Sequence, residues 1–129
     1  EMMFVHDTPA APGSARYVRD MRDAEESFSA HPGVRIFFVG HSHVPGIFTE
    51  KGVVVPEPGK KYPFDGRMIV NVGSIGQPRD RDTRACYVVM FPDGFRFHRV
   101  PYDIETTMRK IRAEPEIDDV LAIRLAKGV

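Results

Sequence analysis

Two histidines two positions apart, His41 and His43, follow the apolar run Ile36-Phe37-Phe38-Val39-Gly40. Imidazole binds divalent transition metals and is neutral enough at pH 7 to do so. The run before the pair is aromatic and β-branched, so it reads as a strand covered on both faces. Gly40 permits a turn at its end. Residues i and i+2 of a strand share a face. The spacing therefore predicts two imidazoles converging on one point just past the strand. A metal needs more than two ligands, and most sites have at least three from the protein. His6 is the third candidate, because it sits where the apolar run 2–5 gives way to the turn-rich stretch 7–13. If the two strands are parallel neighbours across one helix, as a right-handed βαβ unit favours, all three histidines meet at one sheet edge. The other two read as structural: His31 as a charge at a helix C-terminus, and His98 as a hairpin residue alternating with Phe95 and Phe97.

Other residues carry weaker signals. Asn71-Val72-Gly73-Ser74 ends a further strand. Asn71, Gly73 and Ser74 form either an active-site loop facing the histidines or a plain turn, since Asn and Gly favour positive φ. Arg79 is in reach of a phosphate in principle, but it belongs to the alternating run Arg79-Asp80-Arg81-Asp82, which reads as a solvated loop. Asp7 reads as the cap of a turn before Pro9, with a role as substitute ligand or partner to a histidine as the sharper alternative. Cys86 lies within an apolar run and reads as a small buried hydrophobe.

The elements that position these residues are legible in order. Ser14 is a plausible N-cap for a helix that presents Tyr17, Met21, Ala24 and Phe28 on one face and stops near His31, before Pro32 and Gly33. Residues 46–49 and 53–55 flank Glu50-Lys51-Gly52 as a hairpin. Residues 56–65 hold three prolines and read as loop, and 68–72 as strand. Residues 85–91 and 95–100 are joined by Pro92-Asp93-Gly94, a strong hairpin signal. From Asp103 the pattern is helical, with a break at Pro115. This order implies an α/β class: a βαβ start, an antiparallel continuation, and helices on the outer faces of the sheets.

The chain has 129 residues and a formal net charge of zero, with 18 basic and 18 acidic side chains. That size suits one domain or part of one. The balance gives no electrostatic grip on duplex nucleic acid or an anionic membrane. No apolar run approaches the ~20 residues of a bilayer-spanning helix. A single cysteine excludes an internal disulfide framework and suits a reducing, cytoplasmic setting. The first residue is Glu1, and an apolar strand follows at once, which suggests a piece of something longer.

Gly40-His41-Ser42-His43-Val44-Pro45, followed by Asn71-Val72-Gly73-Ser74-Ile75-Gly76-Gln77-Pro78-Arg79-Asp80, resembles the closing motifs of the calcineurin-like metallophosphoesterases, above all the small bacterial and archaeal phosphodiesterases. Val100-Pro101-Tyr102-Asp103-Ile104-Glu105 and its helices are also similar, as is Val5-His6-Asp7-Thr8-Pro9, where Asp7 replaces the usual glycine. The resemblance covers nearly all of this chain but only the C-terminal part of the family's domain, so residues 1–129 would be a single partial domain. It implies an αββα sandwich with mixed sheets and a two-metal centre that hydrolyses a phosphodiester or nucleotide-type substrate. His6 and His41 would bind one metal and His43 the other. Such ions sit ~3.5–4 Å apart, clamp the phosphoryl oxygens and activate water. Manganese is the first choice, with zinc, iron or nickel also suited.

The family's Asp-x-His, Gly-Asp-x-x-Asp and Gly-Asn-His motifs do not occur here. Their carboxylates hold and bridge the cations, and the expected general acid is in the last of them. Three imidazoles without a carboxylate should hold a hard divalent ion poorly. This segment alone is therefore expected to be inactive and to bind metal weakly. Uncovered edges would make it self-associate or join the rest of a longer protein. The alternative is a non-catalytic scaffold or protein-binding module on a degenerate version of the fold, as in the retromer coat subunit.

Overall fold

The computed structural model describes all 129 residues. The elements are β1 (Met2–Phe4), α1 (Met21–Ala30), β2 (Ile36–Val39), β3 (Gly46–Thr49), β4 (Gly52–Val54), β5 (Lys61–Pro63), β6 (Met68–Asn71), β7 (Ala85–Phe91), β8 (Gly94–Val100), α2 (Ile104–Arg112) and α3 (Val120–Lys127). They form a five-stranded sheet ordered β1-β2-β6-β3-β4 and a three-stranded sheet ordered β5-β8-β7. β1, β2 and β6 run parallel, whereas β3 and β4 continue the larger sheet antiparallel.

Strand alternation divides the apolar side chains between two cores. Ile36, Phe38, Ile47, Met68 and Val70 leave one face of the large sheet and pack with Cys86, Phe95 and Phe97 of the small one. Phe37, Val39, Phe48 and Ile69 leave the opposite face and meet Val18, Ala24 and Phe28 around α1. This two-sided demand is why β2 reads as an unbroken apolar run. Burying each such side chain fully is worth roughly 1.5–3 kcal/mol. α2 and α3 pack on one another around Met108, Ala122 and Leu125.

Three sequence expectations need correction. α1 starts at Met21, capped by the Asp20 carboxylate on the Asp23 amide, and not near Ser14. The preceding stretch is held as loop because the Asp7 carboxylate accepts from the Gly13 and Ala15 amides, while the Thr8 amide donates to the Arg16 carbonyl. Within residues 56–65, Lys61–Pro63 is a short strand paired with β8. The run from Arg79 to Asp82 is not simply solvated. Asp80 pairs with Arg99, whose side chain is only 6% exposed, and Asp82 pairs with Arg84.

Candidate metal centre

Parallel pairing of β1 and β2 brings the residues beyond their C-terminal ends together. The Gly40 amide donates to the His6 carbonyl at 3.0 Å. His6 Nε2 and His41 Nδ1 lie 3.1 Å apart. Two nitrogens each about 2.0–2.1 Å from one cation stand roughly 3 Å apart when they subtend a right angle. The separation is thus that of a ligand pair on one ion as well as that of a hydrogen bond.

The opposite nitrogen of each loop histidine is fixed by a backbone carbonyl. His41 Nε2 is 2.9 Å from the Ala15 carbonyl. A carbonyl only accepts, so Nε2 carries the proton and the Nδ1 lone pair faces His6. His43 Nδ1 is 2.8 Å from the Gln77 carbonyl, which leaves Nε2 as its free lone pair. Burial is the main cause that holds the His43 imidazole below its ordinary pKa; the Gln77 hydrogen bond opposes it, and Arg79, His41 and His6 add to it. His43 is therefore neutral at pH 7, the form that ligates a metal.

The two loop histidines do not behave as alternate residues of a strand. Their φ angles are 63° and 61°, both left-handed. Non-glycine residues reach that region at a cost, and clusters of them mark places where the surrounding structure imposes a conformation. Asn71 imposes it here. Its side chain is fully buried; Nδ2 donates to the Gly40 carbonyl and to Ser42 Oγ, both at 2.8 Å. Its Oδ1 accepts from the Gly73 amide at 3.1 Å. Asn71 therefore braces the histidine loop from behind. Gly73 has φ 78°, and a Cβ there would lie 2.7 Å from Cys86 Sγ. Ser74 Oγ accepts from the Gln77 amide and shapes the turn that delivers the Gln77 carbonyl to His43. Cys86 is free and buried.

Asp7 follows His6 but makes no hydrogen bond to the imidazoles. Both of its oxygens are taken by the Gly13 and Ala15 amides. Burial opposes its charge, and the Ala15 and Gly13 hydrogen bonds outweigh that effect, so its pKa is lowered. It anchors the loop whose Ala15 carbonyl orients His41. Arg79 is tied through Nε and Nη2 to Gln77 Oε1. His31 Nε2 bonds the Pro9 carbonyl, and His98 stacks on Tyr87; neither joins the site.

Sequence reasoning missed Tyr17, whose ring stacks on His41 at 4.5 Å, and the carbonyls of Ala15 and Gln77. Tyr17 was expected on a helix face because its spacing to Met21 is helical. Gln77 stood within the motif but carried no type-specific signal, since its backbone makes the bond.

The three imidazoles do not complete a site by themselves. No three His, Cys, Asp or Glu side chains converge to hold a metal ion. Both loop histidines depart from strand alternation, with left-handed φ at each. His41 is paired with His6, while His43 is tied on its Nδ1 side to Gln77. The hydrogen bonds of these rings include no carboxylate partner. The donor set present thus fits one side of a coordination shell, and the remaining donors would have to be supplied from elsewhere.

A family profile described as the calcineurin-like phosphoesterase superfamily domain matches residues 1–93. A metallophosphoesterase from Sphaerobacter thermophilus is 36% identical, with a TM-score of 0.90 over 98% of this chain and 55% of that one. Hypothetical protein PH1004 from Pyrococcus horikoshii OT3 superposes with a TM-score of 0.72 at 17% identity, over 98% of this chain and 46% of that one, a likeness of fold alone. Uncharacterized protein MJ0912 from Methanocaldococcus jannaschii is 39% identical over 79 residues, 59% of this chain and 32% of that protein. The chain thus spans about half of each solved structure and, in the matched region, about a third of that curated relative.

Proposed function

The chain belongs to the calcineurin-like phosphoesterase superfamily, and we propose that it supplies the histidine side of a two-metal phosphoesterase centre acting on a phosphodiester or nucleotide-type substrate. His6 and His41 ligate one divalent cation and His43 a second, with manganese preferred. The observation that carries this reading is the 3.1 Å pair of His6 Nε2 and His41 Nδ1, with the His41 proton drawn to the far nitrogen by the Ala15 carbonyl. A cation there supplies Lewis acidity toward phosphoryl oxygens. The chain's own residues orient its ligands: Asn71 braces the loop, Gln77 and Ala15 fix the ring tautomers, and Tyr17 covers one face of His41.

The bridging carboxylates come, in this proposal, from polypeptide outside these 129 residues. That polypeptide sits beside β1, an outer strand of the large sheet where Phe4 is 65% exposed, and beside β7, an outer strand of the small sheet. The segment alone self-associates through those edges and turns over no substrate. No helix is long and apolar enough to cross a membrane. The cytoplasmic placement in this proposal rests on the single cysteine. The lack of carboxylate partners on the three imidazoles favours one second reading, a non-catalytic binding scaffold.

Hydrolysis of a chromogenic phosphodiester with added manganese tests these readings. The 129-residue chain should give no turnover above buffer; clear turnover abolished by His41→Ala would overturn the claim of inactivity. The longer protein encoded with the preceding coding sequence should be active and contain metal by elemental analysis. A metal-free, inactive longer protein would select the scaffold.

A further inference from the structure

A groove of about 460 Å³ opens beside the histidine loop, starting at Ser42 between the two histidines. Its walls are Val44, Pro45, Phe48 and the hairpin valines Val53, Val54 and Val55. Four of these valines are unusually exposed for a small domain: Val44 44%, Val53 50%, Val54 43% and Val55 83%. A contiguous apolar patch of that kind marks a binding surface. The remaining lining includes two guanidinium groups, Arg19 and Arg79, and no carboxylate. Arg19 lies 4.2 Å over the Tyr17 ring, which in turn stacks on His41. Arg79 keeps Nη1 free of the Gln77 bonds that hold Nε and Nη2.

The groove lies away from the β1 edge, where the proposed further polypeptide joins the sheet. It lies at the β4 edge of the large sheet, and β1 is at the opposite edge. A strand added beside β1 leaves these valines uncovered.

We propose that this groove is the subsite for the organic group of the phosphorylated substrate, and that this group is apolar, a hydrocarbon or aryl ester. The inference rests on the phosphoesterase reading and narrows it. The size falls within the range of small-molecule pockets, which are mostly apolar with a few placed polar groups. The two guanidinium groups in the lining suit a phosphate. The valine, proline and phenylalanine walls offer a sugar or nucleobase no side-chain hydrogen bonds, the polar side chains of the lining being Tyr17, Arg19, Ser42 and Arg79, and leaving polar groups unpaired against those walls disfavours such a ligand. The apolar walls instead favour a group that gains by leaving water.

Titration with phenylphosphonate, methylphosphonate and adenosine monophosphate tests this, followed by the valine methyl signals in NMR. Phenylphosphonate should bind at least about tenfold tighter than methylphosphonate and tighter than the nucleotide, and should shift the methyls of Val44, Val54 and Val55. The double variant Val54→Ser, Val55→Ser changes exposed positions and should lower the phenyl-to-methyl ratio at least about threefold. Equal affinities, a nucleotide preference, an unchanged ratio in the variant, or no methyl shift at millimolar phenylphosphonate would each overturn the proposal. Repeating the titration in the longer protein with and without manganese separates the two readings. A phenyl preference that survives while methylphosphonate ignores both manganese and His41→Ala supports the groove and removes the metal centre. A manganese-dependent gain with no phenyl preference does the reverse.

Discussion

The two contributors to the histidine cluster are held very differently. His41 and His43 follow β2, a strand with all four residues buried, and their loop is braced by Asn71, Ala15 and Gln77. His6 follows β1, three residues long and paired on one side only, and its ring is exposed. One side of the candidate centre is therefore built before any ligand arrives, and the other depends on an edge strand. In this structure His6 is held through its carbonyl to the Gly40 amide and its Nε2 to His41 Nδ1, so its place depends on the loop it faces.

The most direct way to break this comparison is Asn71→Ala. It removes three bonds made by a buried amide and leaves the Gly73 amide, Ser42 Oγ and Gly40 carbonyl short of a partner. The expected loss is about 3 kcal/mol in urea unfolding; under about 1 kcal/mol would mean the loop is not braced from β6. Gly73→Ala forces a side chain into the left-handed region and against Cys86. It should cost about 2 kcal/mol, read as a lowered urea midpoint. Phe4→Ser probes the other side. Phe4 stacks on Phe38 but is mostly exposed, so the loss should stay below about 1 kcal/mol. A cost equal to that of Asn71→Ala would erase the asymmetry.

The smallest effect concerns acid. Hydrogen bonding to Arg84 holds Asp82 down to about 2, against its ordinary 3.8. The folded carboxyl is the stronger acid, so its stabilisation is present above the ordinary value and is lost as pH falls toward about 2. Asp7 is also lowered and acts in the same direction. A melting series should show a gentle decline over that window, flattened in Arg84→Met; an unchanged slope would shift the weight to the Asp7 side of the site.

Local pattern was enough for the strands that flank the site. β2 announces itself because both of its faces are covered, and the Pro92-Asp93-Gly94 turn declares β7 and β8. The start of α1 was misread because the spacing from Tyr17 to Phe28 is helical, while the restraint on residues 13–16 comes from Asp7, several positions away. β5 was hidden by prolines, since its pairing is with β8 far along the chain. The Asp80–Arg99 pair was illegible for the same reason. At the site, residue types pointed to His6, His41 and His43, but their left-handed backbone and their carbonyl partners have no signature in side-chain identity. Strand alternation was the wrong guide to how His41 and His43 are presented, because both lie in a loop with left-handed φ.

Asn71 is also the last rung of two ladders. It pairs with Val39 of β2 on one side and with Gly46 of β3 on the other. Those two residues bound the histidine loop, so its entry and its exit are tied to the same central residue. The loop cannot fray from one end as an ordinary surface turn does. The Val72 amide, bonded to the Val39 carbonyl at that junction, should exchange with deuterium at nearly the rate of whole-domain opening, and a rearrangement that moves both ends of the loop carries the kinetics of opening the middle of the sheet.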